Sequence, residues 1–289
     1  MTTTTSCKVL SHCLAHGPSI TGESLHESLK KDKQLGYGGM VLVPALIDTL
    51  TSLPPTKVAG IFKDVEMTAL VCGFNPGHGP DPLEEDESAL CLKNIRATAE
   101  YAIVLAEQGC GPRIMVGPLH TLHGKMRSAW PADGFRRWMD KLHALAVELD
   151  LMILFEPLNV MEDATPDPFH TLYGAVWNRE QFGMHWDTGH AHSHGLGPTD
   201  FAGMVSKVHY LEFANFGRWP LDRETFGIDF RGYAEAMVNL PADCLVGAEP
   251  FDRSVIKAFK LESLCTTNVS GPDCLRRDAA YLRSIGVMA

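Results

Sequence analysis

Two glutamates stand where a buried strand should carry none. In "LMILFEPLN" Glu156 follows five apolar residues, and in "CLVGAEPF" Glu249 closes a similar run. Each is followed by proline, which ends a strand. "FGMHWD" ends in Asp187, and "KVHYLEF" carries His209. A strand covered on both faces should be apolar throughout, and unpaired carboxylates buried close together are costly. One such residue alone reads as a helix cap or an ion-pair partner. Four on successive strands read as a metal site, because a divalent cation supplies the missing opposite charge. Three carboxylates and one imidazole suit Mn²⁺, Co²⁺ or Mg²⁺ better than a closed structural zinc. The densest motif, "HWDTGHAHSHG" over 185–195, then contributes one ligand, Asp187, whose partners come from other strands. His185 shares the parity of Asp187 and reads as a buried structural histidine, whereas Trp186 should face the other way. His192 and His194 fall beyond the strand.

The elements that must position these residues follow from periodicity. Apolar runs at 7–15, 38–44, 66–74, 113–118, 151–157, 182–187, 207–213 and 244–251 read as strands. Amphipathic segments at 22–36, 86–108, 135–149 and 272–285 read as helices. Strands alternating with helices predict parallel β/α units. The count and the length of 289 residues fit a single α/β domain over 1–289, a closed (β/α)8 TIM barrel, in which active sites sit at the C-terminal ends of the strands. The alternative, an open doubly wound sheet, finds no support in "GFNPGHG", which lacks both the GxGxxG spacing and a P-loop lysine.

Composition excludes several classes. A net charge of −10 speaks against a nucleic-acid face and against a basic membrane patch. No apolar run reaches the ~20 residues that span a bilayer, and the first residues do not read as a secretory signal. The 8 cysteines form no CxxC pair and read as reduced thiols, so the expected location is cytoplasmic.

With these motifs in order, the sequence resembles the xylose-isomerase-like TIM barrels of the sugar isomerase/epimerase group. Within it, the sequence is most similar to ketose 3-epimerases of the D-tagatose and D-psicose type. "EPLNVME" gives Glu156, Asn159 and Glu162 in a Glu-x-x-Asn-x-x-Glu pattern; "DTGH" gives Asp187 and His190; His209 is followed by Arg218; and Glu249 closes strand eight. The segment "AHSHG" and the nine-residue step from His209 to Arg218 depart from the epimerase pattern; "DTGHA" is closer to hydroxypyruvate isomerases and inosose dehydratases. The resemblance implies one divalent cation, Mn²⁺ first, held by Glu156, Asp187, His209 and Glu249. It implies Glu156 and Glu249 as the acid/base pair, with Glu162, His190 and Arg218 on the oxygens of a small sugar. It also implies a homo-oligomer, dimer or tetramer. The expected reaction is epimerisation of a free ketose through an enediolate; aldose–ketose isomerisation and dehydration are the alternatives. An endonuclease-like barrel would need more histidine ligands and a basic face. A metal-free sugar-binding barrel would be the reading without catalysis. His12 and His16 at strand one, and His120 and His123 after strand four, are further residues expected near the mouth.

Overall fold

The computed structural model describes residues 8–44, 53–73, 85–117, 132–157, 168–263 and 265–289. The strands are β1 (Val9–His12), β2 (Gly39–Leu42), β3 (Thr68–Cys72), β4 (Ile114–Val116), β5 (Met152–Phe155), β6 (Phe182–Asp187), β7 (Val208–Phe213) and β8 (Leu245–Ala248). Each pairs in parallel with the next, and β8 pairs with β1, closing the barrel. The fold is therefore the (β/α)8 barrel expected from the alternation of strand and helix.

The helices are α1 (Gly22–Gln34), α2 (Pro55–Val65), α3 (Glu85–Glu107), α4 (Ala132–Leu149), α5 (Pro168–Trp177), α6 (Thr188–Ser193), α7 (Pro198–Met204), α8 (Phe230–Ala236), α9 (Arg253–Ala258) and α10 (Gly271–Ser284). Their starts are written locally. Thr21 and Ser24 form a capping box on α1, and the Ser270 side chain accepts the Asp273 N–H at the start of α10. Outward strand residues meet these helices. Trp186 packs on Phe201 of α7 and Tyr233 of α8, and Phe213 packs on Phe230. Burying each such ring contributes about 1.5–3 kcal/mol. Among the described residues no helix is long and apolar enough to cross a membrane, and the seven cysteines are free thiols.

One irregularity matters for the site. Along the β6/β7 pair, Met184 faces Val208, but the next residue, His185, faces Tyr210. His209 is the extra residue of a β-bulge. Above it the ladder is regular, with Trp186 opposite Leu211 and Asp187 opposite Glu212.

Candidate active site

The C-terminal ends of the strands bring carboxylates together. Asp187 ends β6, and Glu212 lies beside it on β7. Glu156 follows β5 directly, and Glu249 follows β8, its N–H donating to the Phe213 carbonyl at 3.3 Å. Asp187 and Glu212 are at most 1 % exposed and Glu156 is 4 % exposed, so bulk water does not solvate these charges. Among the described residues, these four carboxylates share one guanidinium, that of Arg218. Arg218 Nη1 donates to Asp187 Oδ2 at 2.9 Å, and Nη2 pairs with Glu249. Nη2 also lies 3.2 Å from His190 Nε2. Asp187 is at the same time the N-cap of α6, its Oδ1 accepting the His190 N–H at 2.7 Å. The capping role and the charged role thus fall on different oxygens of one carboxylate.

The imidazoles are placed in distinct ways. His190 Nε2 lies 3.5 Å from Glu156 Oε1, and burial lowers its pKa. His185 sits deeper, with Nε2 2.8 Å from Glu212 Oε2 and Nδ1 3.6 Å from Glu156 Oε2. Burial works to lower its pKa, but Glu156 and Glu212 outweigh that and raise it to about 8. His12 ends β1 with Nε2 3.8 Å from Glu249 Oε1. Its Nδ1 accepts the Leu14 N–H, which leaves the ring proton on Nε2, facing Glu249. Burial, and next the Arg218 charge, push its pKa down to about 3. Burial raises both Glu212 and Glu249, and the Arg218 charge only partly opposes this at Glu249. His209, by contrast, is not brought to this cluster. The bulge leaves it at the opposite end of β7, with Nδ1 3.5 Å from Asp243 Oδ2 and its ring where a side chain on Gly183 would collide. A three-residue step along the strand, about 10 Å, separates it from Glu212, which occupies the strand-seven position at the mouth. His16 instead bonds Asp32 at 2.9 Å, and Asp32 also accepts from Ser11. Glu162, Asn159, His120 and His123 lie outside the described residues.

The loop that delivers Arg218 is tied down at several points. Asn215 accepts the Phe216 N–H and donates to the carbonyls of Pro220 and Arg223. Gly217 and Arg218 both have positive φ, 64° and 59°. A side chain on Gly217 would strike Thr266, and its carbonyl accepts the Thr267 N–H at 3.0 Å. The left-handed backbone at Arg218 costs on the order of 1 kcal/mol, so these ties are needed to hold the guanidinium over the carboxylates. On the far side of the loop, the Leu221 N–H donates to Asp278 Oδ1 on α10 at 2.7 Å.

Asp278 carries a pH signature. Burial raises its pKa to about 8. Below the unfolded value, about 4, both states hold the proton and the stabilisation is complete. As pH rises towards 8 only the folded state keeps it, so stability falls by up to about 1.4 kcal/mol per pH unit. Asp278→Asn keeps an acceptor for Leu221 but does not titrate. Urea melts at pH 5 and pH 8 should show a flatter slope for the variant, and greater stability than the parent at pH 8; equal slopes would refute the assignment.

Missing from the sequence reading were Glu212, which sits in "KVHYLEF" and breaks the apolar rule as plainly as Glu156, and the contacts of His185 with two of the carboxylates. Parity places His185 inward; what sequence does not give is that both ring nitrogens meet glutamates. Three groups of these residues each bring one ligand atom per residue within 4.8 Å of the others: Glu156, Asp187 and His190; Glu156, His185 and Glu212; His12, Glu212 and Glu249.

No protein-family model matches the chain. No curated protein matches it. Solved structures do. An L-ribulose 3-epimerase superposes with a TM-score of 0.79 at 14 % identity, covering 96 % of this chain and 94 % of the other. A D-allulose 3-epimerase from Methylomonas sp. gives 0.74 at 14 % identity, covering 96 % and 98 %. The fold they share with this chain is the (β/α)8 barrel. A protein described as a xylose isomerase-like TIM barrel, from Mycobacterium smegmatis and in complex with magnesium, gives 0.66 at 13 % identity over 98 % and 97 % of the two chains. At such identities the likeness is one of fold, and the chemistry has to be argued from the side chains of this chain.

Proposed function

We propose that the protein is a divalent-metal-dependent ketose 3-epimerase. The observation that carries this reading is the convergence of Glu156, Asp187, Glu212 and Glu249 on one barrel mouth with, among the described residues, a single guanidinium between them. Buried negative charge of that density calls for a cation. The donor set fits one: ligand atoms of Glu156, Asp187 and His190 lie within 4.8 Å of one another, as do those of His12, Glu212 and Glu249, and His185 Nδ1 is buried with no hydrogen-bond partner. The ion would be held by Glu156, Asp187 and Glu249, with Glu212 taking the strand-seven place first assigned to His209. Oxygen donors favour Mn²⁺, with Co²⁺ or Mg²⁺ next. A bound divalent ion supplies the positive charge that lowers the cost of the enediolate.

The chain's own residues do the rest. Glu156 and Glu249 extend from β5 and β8 and so approach a substrate between them from different sides. One removes the proton at carbon 3 and the other returns a proton to the opposite face. Arg218 and His190 bind the sugar oxygens, and Glu162 belongs with them. The free thiols agree with a reducing compartment, the cytoplasm.

The test is a panel of ketoses incubated with the protein and Mn²⁺ in D₂O, with products read by NMR. The proposal expects inverted configuration and deuterium at carbon 3. Deuterium at carbon 1 or 2 of an aldose product would mean isomerisation, and loss of water would mean dehydration; either outcome replaces the epimerase reading, as does no turnover of any ketose.

A further inference from the structure

The deep side of the mouth holds an imidazole, that of His185, which epimerisation on one ion does not use. Glu156, His185 and Glu212 each offer a ligand atom, all within 4.8 Å of one another, and all three residues are buried. His185 Nε2 pairs with Glu212 Oε2 at 2.8 Å. His185 Nδ1, 3.6 Å from Glu156 Oε2, is buried with no hydrogen-bond partner. Buried polar atoms are normally hydrogen-bonded, and this one faces a carboxylate without a bond to it.

The surroundings fix this arrangement. Tyr210 donates to Glu212 Oε1 at 2.5 Å, which holds one carboxylate oxygen and leaves Oε2 turned to His185. The Tyr210 and His185 rings lie 4.5 Å apart. Room for the hydroxyl exists because residue 247 is glycine; a Cβ there would fall on it. Orientation of a carboxylate by a buried hydroxyl is how outer partners prepare metal ligands.

We infer that Glu156, His185 and Glu212 form a second divalent-cation site, deeper in the barrel than the first and sharing Glu156 and Glu212 with it. Two carboxylates and one imidazole favour Mn²⁺, Co²⁺, Fe²⁺ or Zn²⁺ over Ca²⁺. This inference rests on the metal-dependent reading above, and the number of bound ions separates the two.

The experiment strips the full-length protein with chelator, reconstitutes it with Mn²⁺, and measures bound metal per chain by elemental analysis and the spin coupling by EPR. Two ions per chain and a coupled signal are expected. His185→Gln should drop the count to one and abolish the coupling, with circular dichroism checking the fold; Glu212→Gln, which removes a ligand shared by both sites, should also abolish the coupling. Tyr210→Phe should keep both ions but weaken the second roughly tenfold to a hundredfold. One ion in the parent protein overturns the second site and leaves the epimerase reading standing; no ion overturns both. Two ions that persist in both variants overturn the assignment to these residues. If His185→Gln does not fold, Glu212→Gln and the parent count decide.

Discussion

Glu156→Gln and Glu249→Gln should each lower turnover of the best ketose by at least about 10³-fold, within the range that loss of a positioned acid or base produces. Glutamine keeps the shape and one oxygen donor, so the barrel should remain folded. The two variants should also differ from a general collapse of the site in a specific way. With two carboxylates serving opposite faces, removal of one leaves the other able to exchange the carbon 3 proton of a single epimer. Each variant should therefore wash deuterium into one epimer, without inversion, and the two variants should choose opposite epimers. A folded variant that epimerises at near-parent rate would refute the pair. Exchange into the same epimer by both would refute the assignment of opposite faces.

The second large effect concerns Arg218. Its guanidinium joins Asp187 and Glu249, and it lies over the Phe251 ring at 5.4 Å. Arg218→Met keeps much of the packing and removes the charge, leaving buried carboxylates without a partner. Breaking a buried pair in this way costs about 3–5 kcal/mol, which for a chain of this size lowers Tm by on the order of 10 °C. Added Mn²⁺ should recover more of Tm in the variant than it adds to the parent, because the ion then replaces the positive charge that Arg218 supplied to Asp187 and Glu249. KM for the sugar should rise in parallel if the guanidinium binds its oxygens. A metal-free variant melting within a degree of the parent would show that Arg218 is not the counter-charge this geometry makes it.

Much of this was legible in the chain. The strands at 151–157, 182–187 and 244–251 were marked by apolar runs that stop at Glu-Pro or at Asp-Thr, and the structure ends them at Phe155, Asp187 and Ala248. Glu156, Asp187 and Glu249 stand out in the chain because a charge after a buried run has few harmless explanations. The convergence of Arg218 on two of them was not legible. It depends on a left-handed backbone and on ties from Asn215, Thr267 and Asp278, which are up to 60 residues away in sequence. Shorter helices such as α6, α7 and α9 leave no periodic mark; six or seven residues hold too few periods to register. Strand seven shows the sharpest limit. Both His209 and Glu212 break its apolar pattern, and a strict two-residue alternation permits only one of them on the inner face.

The bulge at His209 acts on strand seven as a frameshift acts on a message. The same six letters, VHYLEF, can be read in two phases. With the extra residue at position 209, the phase at the mouth presents Tyr210 and Glu212 to the axis and Leu211 to the helices. A single deletion or insertion near the base of the strand would exchange those sets all the way to the mouth without altering one residue type there. The donor chemistry of the barrel is thus set partly by a count of residues, at a point about 10 Å from where the chemistry is done.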